Sequence, residues 1–387
     1  MINTGEQEAY ILVDRFIETG MPFAMYRIPG EKVIHLMVQL NSEVSLFNDI
    51  EELNGRSGFV IAPFRIGKDA PIVLLRPDEV CEIEFDSTKE CSDDIKPDYY
   101  SPVAERAPKS VHYAPCTDKY AGCFGIFIKA LRQKQFDKLV LSRDQKLDVP
   151  SKFSPAAAFH EACRRYLYSY VYLCYTPQTG VWLGSTPEII LAGEKNEWST
   201  VALAGTQSLQ NGKLPQEWDD KNREEQEYVA SYIRSQLLSF NIHPEENGPY
   251  PAFAGALSHL KTDFHFSLPD SNKLGNLLNL LHPTPAVCGL PKEEAYRFIQ
   301  DNEKYDRRYY SGFIGTLNPS GKTDLYVNLR CMNISSEQLT LYAGGGLLAS
   351  SELEDEWLET EKKMQTMLNL IDSRQLTIDS ELRYDTA

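Results

Sequence analysis

The sequence predicts an α+β protein in which packed antiparallel β-sheets carry helices on their outer faces. Short runs of β-branched and aromatic residues, such as FAMYRI, VIHLMVQL and GFVIAPF, are separated by Gly, Pro, Asn and Asp. Later runs are joined by the hairpin signals NPSGKTD and SSEQ. A few longer segments have the 3.6-residue periodicity of helices. Many strands joined by hairpins and flanked by few helices is the pattern of α+β layering.

The first part of the chain predicts one helix followed by a meander of strands. Residues 5–19 have helical periodicity, and Gly20 provides a stop signal. The strand-like runs that follow are FAMYRI, VIHLMVQL, GFVIAPF, PIVLLR and CEIEF. Residues 88–115 are polar and contain prolines, which favours a surface excursion and makes this stretch the best candidate for a seam.

The second part of the chain alternates longer helices with strands. Its predicted helices are DKYAGCFGIFIKALRQKQ, PAAAFHEACRRYL, PQEWDDKNREEQEYVASYIRSQLLSF and a last one after Ser351. Its predicted strands are KLVLSRDQKLDV, YVYLCYT, GVWLGSTPEIILAG, STVALAGTQ, GFIGTLN, DLYVNLRCMNI and LTLYAGGGLLA. No tandem repeat or low-complexity segment interrupts this pattern.

Composition and charge exclude several classes of protein. The 387 residues carry a formal net charge of −16, which argues against binding to nucleic acid or to an anionic membrane. No run of about 18 apolar residues is present, and the first twenty residues lack a signal-peptide core. The eight cysteines are scattered without a C-x-x-C pair, so we expect reduced thiols in a cytoplasmic protein and no zinc site.

Two charged helices offer carboxylates that admit two interpretations. Glu225 shares one helix side with Lys221, and Glu356, Glu359 and Lys363 share one face of the last helix. Such faces are commonly just solvated. One carboxylate or more on each of two helices is also what Mg²⁺ requires, since it prefers carboxylate and water oxygens. We interpret four further carboxylates of the last helix as solvated surface: Glu352, Glu354, Asp355 and Glu361.

Three other features are weak when each is taken alone. Lys138 begins an apolar strand, where it is either a strand-end charge or an enclosed base. Glu188 follows a proline turn, where it is either an edge carboxylate or an acid whose pKa is raised by burial. The glycines of YAGGGL offer backbone N–H groups for an anion or simply form a tight turn, and they match neither a Walker loop nor a dinucleotide fingerprint.

The order and spacing of ten motifs are far more specific than any one of them. The chain carries KLVLSR, GSTPE, ALAGT, K-x-x-x-E-Q-x-x-V, SHL, HPTPAVCG, YYSG, NLRC, YAGGGL and EWLETEKK in that order. Together they resemble the chorismate-utilising enzymes, and within that family the isochorismate synthases. The resemblance covers residues 112–370. It implies one chorismate-binding domain over residues 1–387, in which 1–111 is a variable N-terminal part and 112–370 the catalytic part.

The resemblance also implies roles for individual residues. Lys138 corresponds to the base that activates water, and Glu188 to the acid that protonates the departing C4 hydroxyl. Glu225 and Glu359 correspond to magnesium ligands, with Glu356 behind them through water. The implied substrate-binding residues are Gly205, Thr206, His259, Ala286, Tyr310, Arg330, Gly344, Gly346 and Lys363. Of these, Arg330 and Tyr310 would hold the enolpyruvyl carboxylate, while the ring carboxylate would lie on magnesium.

A few positions separate this chain from other members of the family. Anthranilate synthases resemble it but carry glutamine at the position of Lys138. Aminodeoxychorismate synthases carry a nucleophilic lysine near the position of Ala286, and salicylate-forming relatives usually carry threonine there. The chain also departs from many relatives at Asn222 and Gln226, which leaves the metal shell one carboxylate poorer and puts magnesium affinity in doubt.

From the sequence we therefore expect a magnesium-dependent isochorismate synthase that adds water at C2 of chorismate and expels the C4 hydroxyl. We expect a cytoplasmic monomer that feeds menaquinone biosynthesis, with no nucleic-acid or membrane partner. A siderophore- or salicylate-branch isochorismate synthase and a salicylate synthase are the nearest alternatives. A catalytically silent metal- or partner-binding protein on the same scaffold is the alternative of another class.

Overall fold

Helices and antiparallel strands alternate along the part of the chain that the structure describes. The computed structural model describes residues 6–85, 113–210, 213–254, 257–268 and 270–371. The helices are α1 (Glu6–Thr19), α2 (Asp118–Arg132), α3 (Pro155–Arg165), α4 (Asp220–Ser239), α5 (Leu274–Leu281), α6 (Lys292–Asn302) and α7 (Leu353–Leu368). The first nine strands are β1 (Phe23–Arg27), β2 (Val33–Val38), β3 (Ser45–Phe47), β4 (Gly58–Ala62), β5 (Ile72–Leu75), β6 (Glu79–Glu84), β7 (Lys138–Asp148), β8 (Tyr170–Thr176) and β9 (Gly180–Thr186). The remaining strands are β10 (Ile189–Glu194), β11 (Glu197–Ser208), β12 (Glu245–Ala254), β13 (Leu257–Phe266), β14 (Gly289–Leu290), β15 (Phe313–Leu317), β16 (Thr323–Val327), β17 (Cys331–Ile334) and β18 (Gln338–Leu347).

The strands form two nine-stranded antiparallel sheets. Sheet A has the order β14-β7-β18-β17-β9-β8-β1-β2-β6, and sheet B has the order β12-β13-β11-β10-β16-β15-β4-β5-β3. Aromatic side chains fill the layer between the sheets, where Tyr170 of sheet A stacks on Tyr326 of sheet B with ring centroids 4.2 Å apart. Large buried rings contribute much of the hydrophobic stabilisation of such a layer. The α+β architecture predicted from the sequence is confirmed.

Helices cover the outer faces of both sheets. Buried residues of α1 and α3 pack on sheet A, and those of α4 and α5 pack on sheet B. Buried side chains of α2, α6 and α7 join β7 and β18 in a further apolar cluster. Helix α4 therefore packs on sheet B, whereas α7 packs against β7 and β18 of sheet A.

Two of the crossings that the chain makes between the sheets are neighbours in space. The first crossing joins β9 to β10 through Pro187 and Glu188, and the second joins β16 to β17 through residues 328–330. The backbones of the crossings bond to each other, since Val327 N donates to Glu188 O at 2.8 Å and Ser185 N donates to Arg330 O at 3.1 Å. Glu188 and Arg330 are thereby fixed side by side at the seam between the sheets.

Sequence and structure agree on most strands but differ at these crossings. DLYVNLRCMNI was predicted as one strand, but it forms β16 and β17 in different sheets, because Arg330 adopts a left-handed backbone conformation with φ of 46°. GVWLGSTPEIILAG is likewise divided between β9 and β10. The predicted helix over 215–240 begins only at Asp220, because the Asp219 side chain caps it by accepting a hydrogen bond from Asn222 N.

The glycine triplet lies inside a strand rather than in a loop or turn. Gly344, Gly345 and Gly346 belong to β18 and pair with Ser142, Leu141 and Val140 of β7. Several elements have no counterpart in the sequence prediction, namely β3, β12–β14, α5 and α6. Of the polar stretch 88–115, which the sequence analysis named as the best candidate for a seam along the chain, residues 88–112 lie outside the described residues.

The cysteines and the membrane-spanning potential of the helices can be compared with the sequence analysis. The seven cysteines in the described ranges are free thiols, and five of them are buried. Within those same ranges, no helix is both long and apolar enough to cross a membrane.

Gly312 provides a test of the close packing at the seam. A Cβ at this position would overlap the oxygen of Ala62. Because this oxygen belongs to the backbone of a strand, it cannot move away as the end of a flexible side chain could. We expect Gly312→Ala to destabilise the protein by about 3 kcal/mol, as overpacking does. Gly122→Ala on the exposed face of α2 is the control and should stabilise by about 1 kcal/mol. The midpoints of urea unfolding check both values, and an unchanged midpoint for Gly312→Ala would contradict the packing.

Candidate active site

A buried cavity lies where the seam meets β18, α4 and α7. Eleven of the fourteen site residues predicted from the sequence line it. They are Glu188, Gly205, Thr206, Glu225, His259, Ala286, Tyr310, Arg330, Gly344, Gly346 and Lys363. The other three, Lys138, Glu356 and Glu359, lie directly behind this lining, where they contact Glu225, Lys221 and Lys363.

Three lysine–glutamate pairs surround the inner end of the cavity. Lys138 Nζ lies 3.0 Å from Glu225 Oε1, and Lys363 Nζ lies 2.7 Å from Glu359 Oε1. The third pair joins Lys221 to Glu356. Three buried or half-buried carboxylates can therefore lie close together because each has an ammonium partner.

Glycine makes this crowding of carboxylates sterically possible. A Cβ on Gly346 would overlap Glu225 Oε1 and would lie 2.9 Å from Lys138 Cε. A Cβ on Gly345 would lie 3.1 Å from Glu356 Oε2 and 3.4 Å from Glu359 Oε1. The bare backbone of β18 thus leaves room for Glu225 of α4 and for Glu356 and Glu359 of α7.

The two α7 carboxylates have opposite electrostatic settings. Burial, together with the nearby Glu359 carboxylate, raises the pKa of Glu356 to about 7. Burial opposes ionisation of Glu359 as well, but the Lys363 ammonium outweighs it and lowers the pKa of Glu359. Glu356 Oε2 is buried and has no hydrogen-bond partner among the described residues. One carboxylate oxygen at the inner end is thus left without a protein donor.

Glu188 is a buried acid on the cavity wall. Its side chain is 2% exposed, and burial raises its pKa to about 8 despite the opposing effect of Lys138. The Thr284 hydroxyl lies 3.4 Å from Glu188 Oε1 and stabilises the ionised form. The carboxyl is therefore protonated at neutral pH and can donate a proton into the cavity.

Lys138 is fully buried at the start of β7. It lies behind Gly346, and its ammonium faces the Glu225 carboxylate. Its enclosure agrees with the functional interpretation of this residue and not with a solvated strand end.

Cationic and aromatic groups form another part of the lining. Lys363 Nζ donates to Gly344 O at 2.9 Å, which turns the lysine towards β18. Tyr310 is buried and stacks on Tyr342 with centroids 5.4 Å apart. Arg330 Nη2 lies 2.7 Å from His259 Nε2. Arg330 therefore brings a positive charge to the lining, in addition to the Lys363 ammonium that is paired with Glu359.

Asn222 and Gln226 have structural roles that their deviation from the family pattern did not reveal. Asn222 Oδ1 accepts from Thr206 N at 2.8 Å, and Gln226 Oε1 accepts from Ala204 N at 2.9 Å. Gln226 Nε2 also donates to Ala202 O at 3.2 Å. The two amides therefore attach α4 to β11 on either side of Gly205, where β11 has a bulge and φ is 70°.

A buried ion pair that the sequence interpretation missed holds one wall of the cavity. Glu303 accepts from both Arg307 Nε and Ser142 N, at 2.6 and 2.7 Å. Arg307 also donates to the backbone oxygens of Val287 and Val140, at 2.7 and 2.9 Å. Both valines line the cavity. The only sequence signal was a Glu–Arg pair four residues apart, which is common on exposed helices.

Glu361 is a further correction, because it is buried and not part of a solvated surface. It pairs with Arg143 of β7, and its Oε2 accepts from Ala114 N at 3.1 Å. Arg143 also lies 3.9 Å from the ring centroid of Trp357. This contact fastens α7 to β7, and so the helix that carries Glu359 to the strand that carries Lys138.

Comparison with known proteins identifies relatives of this chain. Residues 82–372 match the family model described as chorismate binding enzyme. The chain is 30% identical over 245 residues to the isochorismate synthase EntC of Escherichia coli, which covers 61% of this chain and 62% of EntC. It is 30% identical over 248 residues to the salicylate biosynthesis isochorismate synthase of Pseudomonas aeruginosa, covering 62% of this chain and 52% of that enzyme. The matches thus span less than two thirds of these relatives.

Structural comparison agrees over a longer region. The solved structure of MenF, the menaquinone-specific isochorismate synthase from E. coli, superimposes with a TM-score of 0.71 at 21% identity. The alignment covers 91% of this chain and 89% of MenF, and at this identity it shows the shared fold. With the family model matching three quarters of its length, the chain belongs to the chorismate-binding enzyme family.

Proposed function

We propose that this protein is an isochorismate synthase, an isomerase that converts chorismate to isochorismate. The observation that carries the proposal is that one cavity has a buried lysine, Lys138, directly behind its wall and a buried carboxyl, Glu188, on its lining. Burial raises the pKa of Glu188 to about 8, which favours the protonated form at neutral pH. A base and an acid at one cavity are what hydration at one ring carbon and loss of hydroxide at another require. The names of the relatives from E. coli and P. aeruginosa support the same reaction.

The cavity lining suits a dianion. Chorismate carries two carboxylates, and Arg330 can bind one of them with two parallel hydrogen bonds. The Tyr310 hydroxyl lies on the same lining and supplies a further donor. Lys363 adds a second cation. Local positive charge on this lining offsets the repulsion that a protein of charge −16 exerts on an anion.

The proposed reaction conserves atoms and needs no redox step. Lys138 enters the proposed reaction as a neutral amine, after its ammonium has given its proton to solvent. A water molecule then attacks C2 and gives a proton to this amine, while the ring double bond moves and the C4–oxygen bond breaks. Glu188 protonates the departing hydroxyl, which leaves as water. The raised pKa of Glu188 is thus matched to its proposed role as the acid.

Magnesium is the cofactor that we propose for this site. The donors at the inner end are carboxylate oxygens, the ligands that Mg²⁺ prefers, and Glu356 Oε2 lacks a protein donor. Glu225 and Glu359 would hold the ion, with Glu356 behind them. When bound, magnesium would offset the charge of a substrate carboxylate. As arranged, the described residues include no cluster of three or more His, Cys, Asp or Glu that could hold a metal, because each carboxylate faces a lysine.

Ala286 and the relatives guide the finer proposal. Ala286 lines the cavity, where salicylate-forming enzymes usually have threonine, so we propose that isochorismate is released as product. We propose the menaquinone pathway, in keeping with the name of MenF. We also propose a monomer in the cytoplasm, where the free thiols would stay reduced.

Product analysis tests the proposed function directly. We expect the purified protein with chorismate and Mg²⁺ to form isochorismate, identified by chromatography, without release of pyruvate. Lys138→Ala should abolish turnover while chorismate still binds, because the proton acceptor is lost. Lys146→Ala, on a more exposed part of the same strand, is the control and should remain active.

Two outcomes would contradict this proposal. Release of pyruvate without an added lyase would identify a salicylate synthase instead. Failure of the wild-type protein to consume chorismate in the presence of Mg²⁺ would favour a catalytically silent protein on this scaffold.

The alkaline pH dependence of activity should report Glu188. Its pKa is raised from 4.5 to about 8, so the active, protonated form persists at neutral pH and disappears as the pH rises through about 8. We expect kcat/KM to fall above that pH by about tenfold per pH unit, as for loss of one proton. Thr284→Val should move this limb to higher pH, because it removes a hydrogen bond that favours the carboxylate. A limb that stays in place in Thr284→Val would contradict the assignment.

Lys221 should compete with the metal for Glu356. We expect Lys221→Met to lower the thermal midpoint of the metal-free protein, because the buried Glu356 loses its ammonium partner. Added Mg²⁺ should then raise that midpoint more than it does in the wild type. Lys362→Met is the control and should respond like the wild type, because Lys362 lies on α7 and its Nζ donates to Ser208 Oγ at 3.2 Å. Equal Mg²⁺ responses in all three proteins would argue against metal at this position.

A further inference from the structure

The side chain of His259 bridges two parts of the cavity wall. Its Nδ1 lies 2.8 Å from the Gly205 oxygen, and its Nε2 lies 2.7 Å from Arg330 Nη2. His259 is on β13, opposite Thr206 of β11. The carbonyl of Gly205 is available to it because β11 bulges there. The ring therefore connects sheet B to the arginine at the seam.

The two contacts determine which nitrogen of His259 carries the proton. A carbonyl oxygen only accepts, so the Nδ1 atom beside Gly205 must donate. A guanidinium only donates, so the Nε2 atom beside Arg330 must offer its lone pair. Together they require the neutral ring with hydrogen on Nδ1. Burial and the adjacent Arg330 charge lower the pKa of His259 well below its usual range, which agrees with this form.

A neutral acceptor has a particular value beside this arginine. Arg330 is buried, so its N–H groups need acceptors, and a carboxylate would supply one only by cancelling the positive charge. The imidazole lone pair satisfies one N–H group of Arg330 without adding a negative charge beside the guanidinium. It also fixes the direction of the guanidinium plane, on which two parallel bonds to a carboxylate depend.

We propose that His259 is a positioning residue that acts through Arg330, holding the guanidinium in the orientation that binds a substrate carboxylate by accepting a hydrogen bond from it as a neutral ring. The inference rests on the proposed function, in which Arg330 binds chorismate. It assigns His259 a role different from the direct substrate contact that the family resemblance implies.

Three substitutions of His259 separate geometry from charge. An Asn amide reaches about as far as Nδ1 and can serve Gly205 but not Arg330, whereas a Gln amide reaches about as far as Nε2 and can accept from Arg330. A Glu side chain has the shape of Gln but would neutralise Arg330. We expect kcat/KM for chorismate to fall about 30-fold in His259→Asn and in His259→Glu, mainly through KM, and only about threefold in His259→Gln. His265→Asn, an exposed position on the same strand, is the matched control and should be unchanged.

A double-mutant cycle distinguishes positioning from a merely structural role. If His259 acts through Arg330, then His259→Asn should reduce kcat/KM less than twofold further in an Arg330→Ala background, because the group that it positions is gone. A structural role or a direct substrate contact would give nearly the full loss in that background as well. Additive losses, or a His259→Gln protein as impaired as His259→Asn, would overturn the proposal.

A spectroscopic measurement keeps this inference distinct from the proposed function. In protein labelled with ¹⁵N-histidine, His259 is assigned by its absence in His259→Asn, and it should give the shifts of a neutral ring protonated on Nδ1 at pH 7. This result does not depend on turnover of chorismate. A ring protonated on Nε2, or doubly protonated, would overturn the inference even if isochorismate is formed, whereas failure to form isochorismate would refute the proposed function alone.

Discussion

The site depends on one constraint, the backbone pairing of the β9–β10 crossing with the β16–β17 crossing. Val327 bonds to Glu188 and Ser185 bonds to Arg330, so each crossing fixes the other. An acid and a cation that are 142 residues apart in sequence thus become neighbours without relying on side-chain contacts. The aromatic layer between the sheets supports the crossings from one side, and α4 and α7 close the cavity from the other. Precise placement of functional groups on rigid elements is a general requirement of active sites.

Charge compensation is the second principle of this site. Each of the carboxylates Glu225, Glu356 and Glu359 has its own lysine, and the ammonium groups come from three different elements. Buried ion pairs contribute little net stability, but removing one partner is costly. The three buried carboxylates are therefore held ionised or partly ionised by their lysines, and the cation proposed for this site would take the place of a lysine as their partner. The contact between His259 and Arg330 is different, because its acceptor is neutral and adds no negative charge beside the guanidinium.

Hydrophobic patterns predicted the architecture because they are local signals, whereas the residues that line the cavity were implied by the family resemblance of the ordered motifs. The sequence identified Glu188 and Lys138, and the structure encloses both. It could not predict that DLYVNLRCMNI changes sheets, because the strand pattern continues through Arg330 and only the backbone conformation breaks. Glu361 was assigned to the surface since helical periodicity places it away from Glu359, but the partner that buries it, Arg143, comes from a distant strand. The buried ion pair of Glu303 and Arg307 was missed for a similar reason. Arg307 binds the backbone oxygens of Val287 and Val140, and the sequence does not reveal such contacts.

The glycine segment of β18 has a consequence for how such a site can change during evolution. Gly344 contacts Lys363 through its carbonyl oxygen, which every amino acid possesses, so a substitution there cannot remove the contact and can only add atoms. At Gly346 the added atoms would collide with the carboxylate of Glu225. This wall is therefore refractory to gradual variation, whereas the walls built from Leu203 and Ala286 can vary by single side chains. A change in the shape of the cavity is therefore sterically easier at Leu203 and Ala286 than at the glycines of β18.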